Sequence, residues 1–185
     1  MASVKLLCMC ALLLALCCCG STREDLYPSG KDKRPTVQAG TIGPAVGQQA
    51  PDFTLPDIHG NPTTLSASAK LPTAKGVVIY FTMWCPTCDS EMSNMRDAVM
   101  PRFPNVIYYA VDYVSGSFDG ARNSELDNGY AGSGFTTLVD TSQSVLNQYQ
   151  ATMSTTVVID SAGVVRMNEN YKDGAKLQEI LGGLP

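Results

Sequence analysis

Three features of the sequence predict an α/β fold with a central mixed β-sheet flanked by helices on both faces. Val77–Phe81 is an apolar, β-branched run that reads as a strand buried on both sides, and it hands over directly to a helix start at Pro86. Strand-like and helix-like segments alternate from Pro51 onward. Near the end, Thr155–Asp160 and Val164–Met167 flank Ser161-Ala162-Gly163, a hairpin signal that adds an antiparallel pair to strands otherwise joined through helices.

The first 19 residues stand apart. Lys5 precedes the apolar stretch Leu6–Leu16, and Cys17-Cys18-Cys19-Gly20-Ser21 follow. This is a signal-peptide pattern, too short for a membrane span of about 20 apolar residues. It resembles a bacterial lipoprotein signal, in which a Leu stands three residues before a cysteine that is lipidated after cleavage. Leu16 stands three before Cys19, which makes Cys19 the expected lipidation site; Leu14 before Cys17 offers a second register, with bulky Leu16 at the cleavage position. An ordinary secretory signal or an uncleaved anchor remains open, and either also directs the domain out of the cytosol. Residues 20–48 are polar and rich in Gly, Pro and charge, with no hydrophobic period, so they read as a flexible tether; at coil dimensions they span roughly 30 Å. Residues 49–185 are ample for a single domain.

Within that domain, Asp52–Leu55 and Pro62–Leu65 are expected as short strands around the turn Asp57–Asn61, with His59 exposed in the turn. After the Val77–Phe81 strand, a helix is expected from Pro86 to about Val99, halted before Pro101. Val106–Val111 reads as the next buried strand. A helix near Ser124–Gly129, a short strand at Phe135–Val139 and a helix at Ser144–Tyr149 follow. The hairpin comes next, and Ala175–Leu181 closes the chain as an amphipathic helix.

The chemistry is concentrated in Trp84-Cys85-Pro86-Thr87-Cys88. Cys85 falls at a helix N-terminus, where unpaired N–H groups and the macrodipole stabilise a thiolate and lower its pKa from about 8.5 toward roughly 3.5 to 7.5. Residues i and i+3 lie roughly 5 to 6 Å apart on a helical turn, within the span of a disulfide, so the pair reads as a redox dithiol. A zinc site needs two more ligands. The other cysteines all lie in the first 19 residues and His59 is the only histidine, so no metal and no cofactor is expected. A structural disulfide closing so short a loop removes little unfolded-state entropy, and inert core cysteines fit poorly between Trp84 and Pro86. The net charge of −4 becomes one unit more negative once Lys5 leaves with the leader, and without a basic stripe nucleic-acid binding is not expected.

The order Pro51-Asp52-Phe53-Thr54-Leu55 with Asp57-Ile58-His59-Gly60, then Trp84–Cys88, then Thr155–Asp160 with Gly163, resembles the thioredoxin superfamily over roughly residues 45–184. It is similar to the membrane-tethered extracytoplasmic thiol-disulfide oxidoreductases, a redoxin or alkyl-hydroperoxide-reductase-like branch that includes proteins serving cytochrome c maturation. The resemblance implies a thioredoxin-like fold and an envelope location on the periplasmic side, as a tethered lipoprotein or a secreted protein. It also implies protein thiol and disulfide substrates and a membrane electron-donor protein as partners. Cys85 is then the attacking thiolate and Cys88 the resolving thiol, with Trp84 shielding the pair and Pro86 and Thr87 completing the motif. Where the family carries a cis-proline before the late strand, this chain has Ser154 after Met153. A cis bond before a non-proline costs about 2.5 to 4 kcal/mol, so a trans Met153–Ser154 bond and a rearranged loop are expected. Asp112, at a strand end, is the weak candidate for proton transfer to Cys88. Asp89 and Glu91 beside the dithiol lean the pair toward reducing protein disulfides.

Two other readings use the same residues. Thr82-Met83-Trp84-Cys85 also resembles the Thr-x-x-Cys motif of peroxiredoxin-like thiol peroxidases, with Cys85 as peroxidatic cysteine and Thr82 orienting the peroxide. Val78 stands where that family's proline belongs, and Ser154 where its arginine is sought. A non-enzymatic copper-handling module is the third reading, with Met153 as a soft thioether beside the two thiols.

Overall fold

The computed structural model describes residues 37–185. The expected leader, the lipidation site at Cys19 and most of the tether lie outside them. A short antiparallel hairpin, β1 (Thr54–Pro56) and β2 (Pro62–Thr64), leads into a one-turn helix α1 (Leu65–Ala69). The main sheet contains β3 (Gly76–Thr82), β4 (Val106–Asp112), β5 (Phe135–Val139), β6 (Thr155–Asp160) and β7 (Val165–Asn170), in the order β5-β4-β3-β6-β7. β3, β4 and β5 are parallel; β6 runs antiparallel to β3, and β7 to β6. This is the expected mixed sheet, and β3 is its central strand.

Every residue of β3 is buried, and alternate residues enter two different cores. Val78 and Tyr80 pack with Cys88, Met92, Met95 and Val99 of the helix that follows β3, and with Leu177 and Leu181 of α5 (Ala175–Gly182). Val77, Ile79 and Phe81 pack with Leu65 and Ala69 of α1 and with Val145 of α4 (Ser144–Gln148). Helices therefore cover both faces, which is why β3 is a continuous apolar run rather than an alternating one. At about 1.5 to 3 kcal/mol per buried large aliphatic or aromatic side chain, this strand anchors the structure that carries the motif.

Several boundaries differ from expectation for local reasons. α2 is α-helical only over Pro86–Asn94. It continues as a π turn at Met95–Val99 and a 3₁₀ turn at Met100–Arg102, so Pro101 is absorbed into the first turn of that last segment, where its missing N–H has no partner to lose. The helix expected near Ser124–Gly129 starts earlier, as α3 (Phe118–Asp127), because Ser117 Oγ caps it by accepting the Gly120 N–H at 3.0 Å. Leu65 opens α1 instead of ending a strand; a five-residue helix is too short to leave a periodic signature. The last residues of the segment expected as a tether, 20–48, are bonded to the domain. Gly40 N–H donates to the Gly47 carbonyl at 3.1 Å, while Gly47 and Gln48 exchange backbone bonds of 2.9 Å with Val165. These bonds cover part of the outer edge of β7, which would otherwise expose unpaired backbone groups. Among the described residues no helix is long and apolar enough to cross a membrane.

Candidate functional site

β3 ends at Thr82, the chain turns through Met83 and Trp84, and α2 begins at Pro86. Thr82 is buried, and its Oγ1 accepts the Trp84 N–H at 3.0 Å, which ties the turn to the strand end. Trp84 has φ 58°, a left-handed conformation costly for a bulky residue. Its indole N–H reaches back to Asp112 Oδ2 at 2.8 Å, and this bond helps to fix the strained turn.

Cys85 is the N-cap of α2, with Pro86 in the first helical turn. Its Sγ accepts the Cys88 N–H at 3.3 Å and lies 3.0 Å from Cys88 Sγ. Cys85 is partly exposed and Cys88 fully buried; both are free thiols. Burial opposes ionisation of Cys85. Hydrogen bonds from the Cys88 thiol and from the backbone N–H groups of Cys88, Thr87 and Cys85 itself outweigh it and hold the pKa below the ordinary thiol value. Thr87 is exposed and takes part through its backbone.

The sheet order brings a distant loop to the same place. β6 pairs with β3, so the loop before β6 lies beside the dithiol, and Met153 Sδ stands 3.4 Å from Cys85 Sγ. No described peptide bond is cis, and Ser154 has φ 68°. The expected trans bond and rearranged loop are thus what the chain adopts. Ser154 N–H donates to the Phe81 carbonyl at 3.1 Å, and its carbonyl accepts the Tyr171 N–H at 2.7 Å. The Ser154 hydroxyl is buried without a hydrogen-bond partner.

Asp112, the candidate for proton transfer to Cys88, is buried at the end of β4. Besides Trp84, its carboxylate accepts the Ser115 hydroxyl at 2.5 Å and the Val114 and Ser115 N–H groups at 2.9 Å, so it is a turn anchor. His59 sits in the turn as expected, its N–H bonded to Asp57 Oδ1 at 2.8 Å.

Two buried tyrosines beneath the site escaped sequence reasoning. Tyr80 donates to Glu91 Oε2 at 2.5 Å, and burial, then that bond, push its pKa far up. Tyr130 donates to Asp89 Oδ1 at 2.8 Å, under the Trp84 ring and the Arg96 guanidinium; its pKa is pushed up to about 12, chiefly by burial. Tyr80 alternates with apolar neighbours in a strand, so nothing local distinguished it from packing. Among the described residues no cluster of three His, Cys, Asp or Glu side chains is arranged for a metal ion.

The AhpC/TSA family model matches residues 46–168. No curated protein sequence matches the chain significantly. Among solved structures, it is similar to dsbF of Mycobacterium tuberculosis, with 23% identity, TM-score 0.57, and 72% of this chain and 95% of that one covered. It is also similar to a secreted M. tuberculosis disulfide oxidoreductase homologous to E. coli DsbE, at 20% identity and TM-score 0.54, covering 71% and 96%. A third is the exposed lipoprotein thioredoxin of Streptococcus pneumoniae, at 21% identity and TM-score 0.55, covering 70% and 98%. These likenesses show a thioredoxin-like fold.

Proposed function

The chain belongs to the AhpC/TSA family, and from that premise we propose that it is a thiol-disulfide oxidoreductase of the cell envelope that reduces protein disulfides through Cys85 and Cys88. The observation that carries the reading is the pairing of a partly exposed, hydrogen-bonded N-cap sulfur with a buried thiol 3.0 Å away. The Cys85 thiolate attacks one sulfur of a substrate disulfide, forming a mixed disulfide and expelling the other substrate sulfur as a thiolate. Cys88 gives up its proton, attacks Cys85 Sγ and releases the second substrate thiolate. The substrate gains two electrons and the dithiol becomes a disulfide, which a membrane electron-donor protein then reduces.

Asp89 and Glu91, one turn into α2, disfavour a very low thiolate pKa and so favour a reductant. The leader pattern supports export and lipidation at Cys19, with the polar segment that follows it as the tether. A secreted relative and a lipoprotein relative of the same fold agree with a periplasmic-side location, and cytochrome c maturation is one setting for such a reductant.

The peroxidase reading has less support. Among the described residues no arginine bonds to Cys85, and the four arginines there are engaged elsewhere: Arg96 with Asp97, Arg102 with Gln178, Arg122 with Asp119 and Arg166 with Asp160. Thr82 Oγ1 is occupied by the Trp84 N–H.

Cys88→Ser is the decisive variant. It should accumulate mixed disulfides on Cys85 in cell envelopes, and Cys85→Ser should abolish them. If nothing accumulates while the reduced protein consumes peroxide rapidly, the peroxidase reading replaces this one.

A further inference from the structure

Three sulfur atoms converge at the end of β3. Cys85 Sγ lies 3.0 Å from Cys88 Sγ and 3.4 Å from Met153 Sδ, the last from a residue 68 positions away. The Ser154 N–H bond to the Phe81 carbonyl holds Met153 there, and Trp84, Cys85 and Met153 all pack against the apolar core that contains Cys88. The hydrogen-bond partners of these sulfurs are one another and backbone N–H groups of the first turn of α2; no carboxylate or imidazole is among them. Two thiolates and a thioether, without hard oxygen donors, select Cu(I) over harder divalent ions.

We propose that the reduced chain binds one Cu(I) ion in a three-sulfur site formed by Cys85, Cys88 and Met153. Binding forms two copper–thiolate bonds and one copper–thioether bond, releases the two thiol protons to solvent and changes no oxidation state. The centre carries one net negative charge, which the N-terminal end of α2 stabilises. With metal–thiolate bonds of about 2.3 Å, the zinc value, a trigonal site needs its sulfurs roughly 4 Å apart, so the two separations from Cys85 widen by about 1 Å or less. The site requires only that both cysteines be reduced, so it stands independently of disulfide exchange.

The test titrates the reduced full-length chain anaerobically with Cu(I) against bathocuproine disulfonate, beside the Cys85→Ser/Cys88→Ser double variant and Met153→Leu. The five cysteines of the first 19 residues are present in every sample, so differences report this site. The unaltered chain should withhold one more Cu(I) than the double variant. Met153→Leu, which keeps the side-chain volume, should bind that ion at least about tenfold more weakly, the loss that even an outer-sphere partner causes. X-ray absorption of the loaded unaltered chain should count three sulfur neighbours at the additional copper, taken as the difference from the double variant. Equal uptake by the unaltered chain and the double variant overturns the site. Undiminished affinity in Met153→Leu, or a count of two sulfurs, overturns the three-sulfur arrangement. Copper binding without any disulfide exchange would refute the proposed function and leave the site standing.

Discussion

The Trp84 indole N–H and Asp112 Oδ2 meet at 2.8 Å across two parallel strands, where Thr82 and Asp112 are register partners. That one carboxylate therefore holds both the turn that presents Cys85 and the turn that follows β4. Asp112→Ala leaves four donors without their acceptor and should cost about 2 to 4 kcal/mol in urea denaturation. Trp84 is the only tryptophan, so its fluorescence reports the change directly. An emission spectrum and a stability both unaltered would show that packing alone holds the ring.

Cys85 has a folded-state pKa below that of a free thiol, about 8.5. Its thiolate fraction, and with it the alkylation rate after correction for reagent, should fall as pH drops through that lowered pKa, with a midpoint below that of a free thiol. The same shift makes the reduced protein most stable above the unfolded pKa, and that increment is lost as pH falls through the folded one. The oxidised protein lacks this dependence. Iodoacetamide kinetics read by mass spectrometry on Cys85 give the midpoint, and a value at or above 8.5 contradicts the hydrogen bonding described.

Ser154 combines a left-handed backbone with a buried, unpartnered hydroxyl. Ser154→Gly removes both costs, set against the greater unfolded-state freedom of glycine, and should stabilise the protein by about 1 kcal/mol. Ser154→Pro should do the reverse. Proline fixes φ near −65° and lacks the N–H that Phe81 accepts, so a loss of about 3 kcal/mol or more is expected. Denaturation midpoints for the two variants should move in opposite directions.

Gly76 is constrained by close approach. A Cβ there would stand 2.5 Å from the Ile159 carbonyl oxygen on β6. Gly76→Ala must push β3 and β6 apart where the sheet begins, and should cost about 1 to 3 kcal/mol in a thermal or urea melt. Retention of full stability would mean that the strand pair yields there without loss.

The sequence by itself determined most of the elements and placed the two cysteines at a helix start. The run Val77–Phe81, the N-terminal proline of α2 and the spacing of Cys85 and Cys88 act over distances of a few residues, where backbone preference and local burial pattern decide the outcome. Thr155–Asp160 and Phe135–Val139 were legible for the same reason, while α1 and the π turn after Asn94 carry too few residues to show a period. The family resemblance pointed to Met153, Ser154 and Asp112 near the dithiol, and tertiary structure decided the contacts that each of them makes. Met153, Ser154 and Asp112 reach the dithiol because the sheet order is β5-β4-β3-β6-β7, which sets β4 and β6 on either side of β3. No local propensity encodes that adjacency. It follows from burying both faces of the sheet at once, and that condition assigned Asp112 to the turn and Met153 to the sulfur.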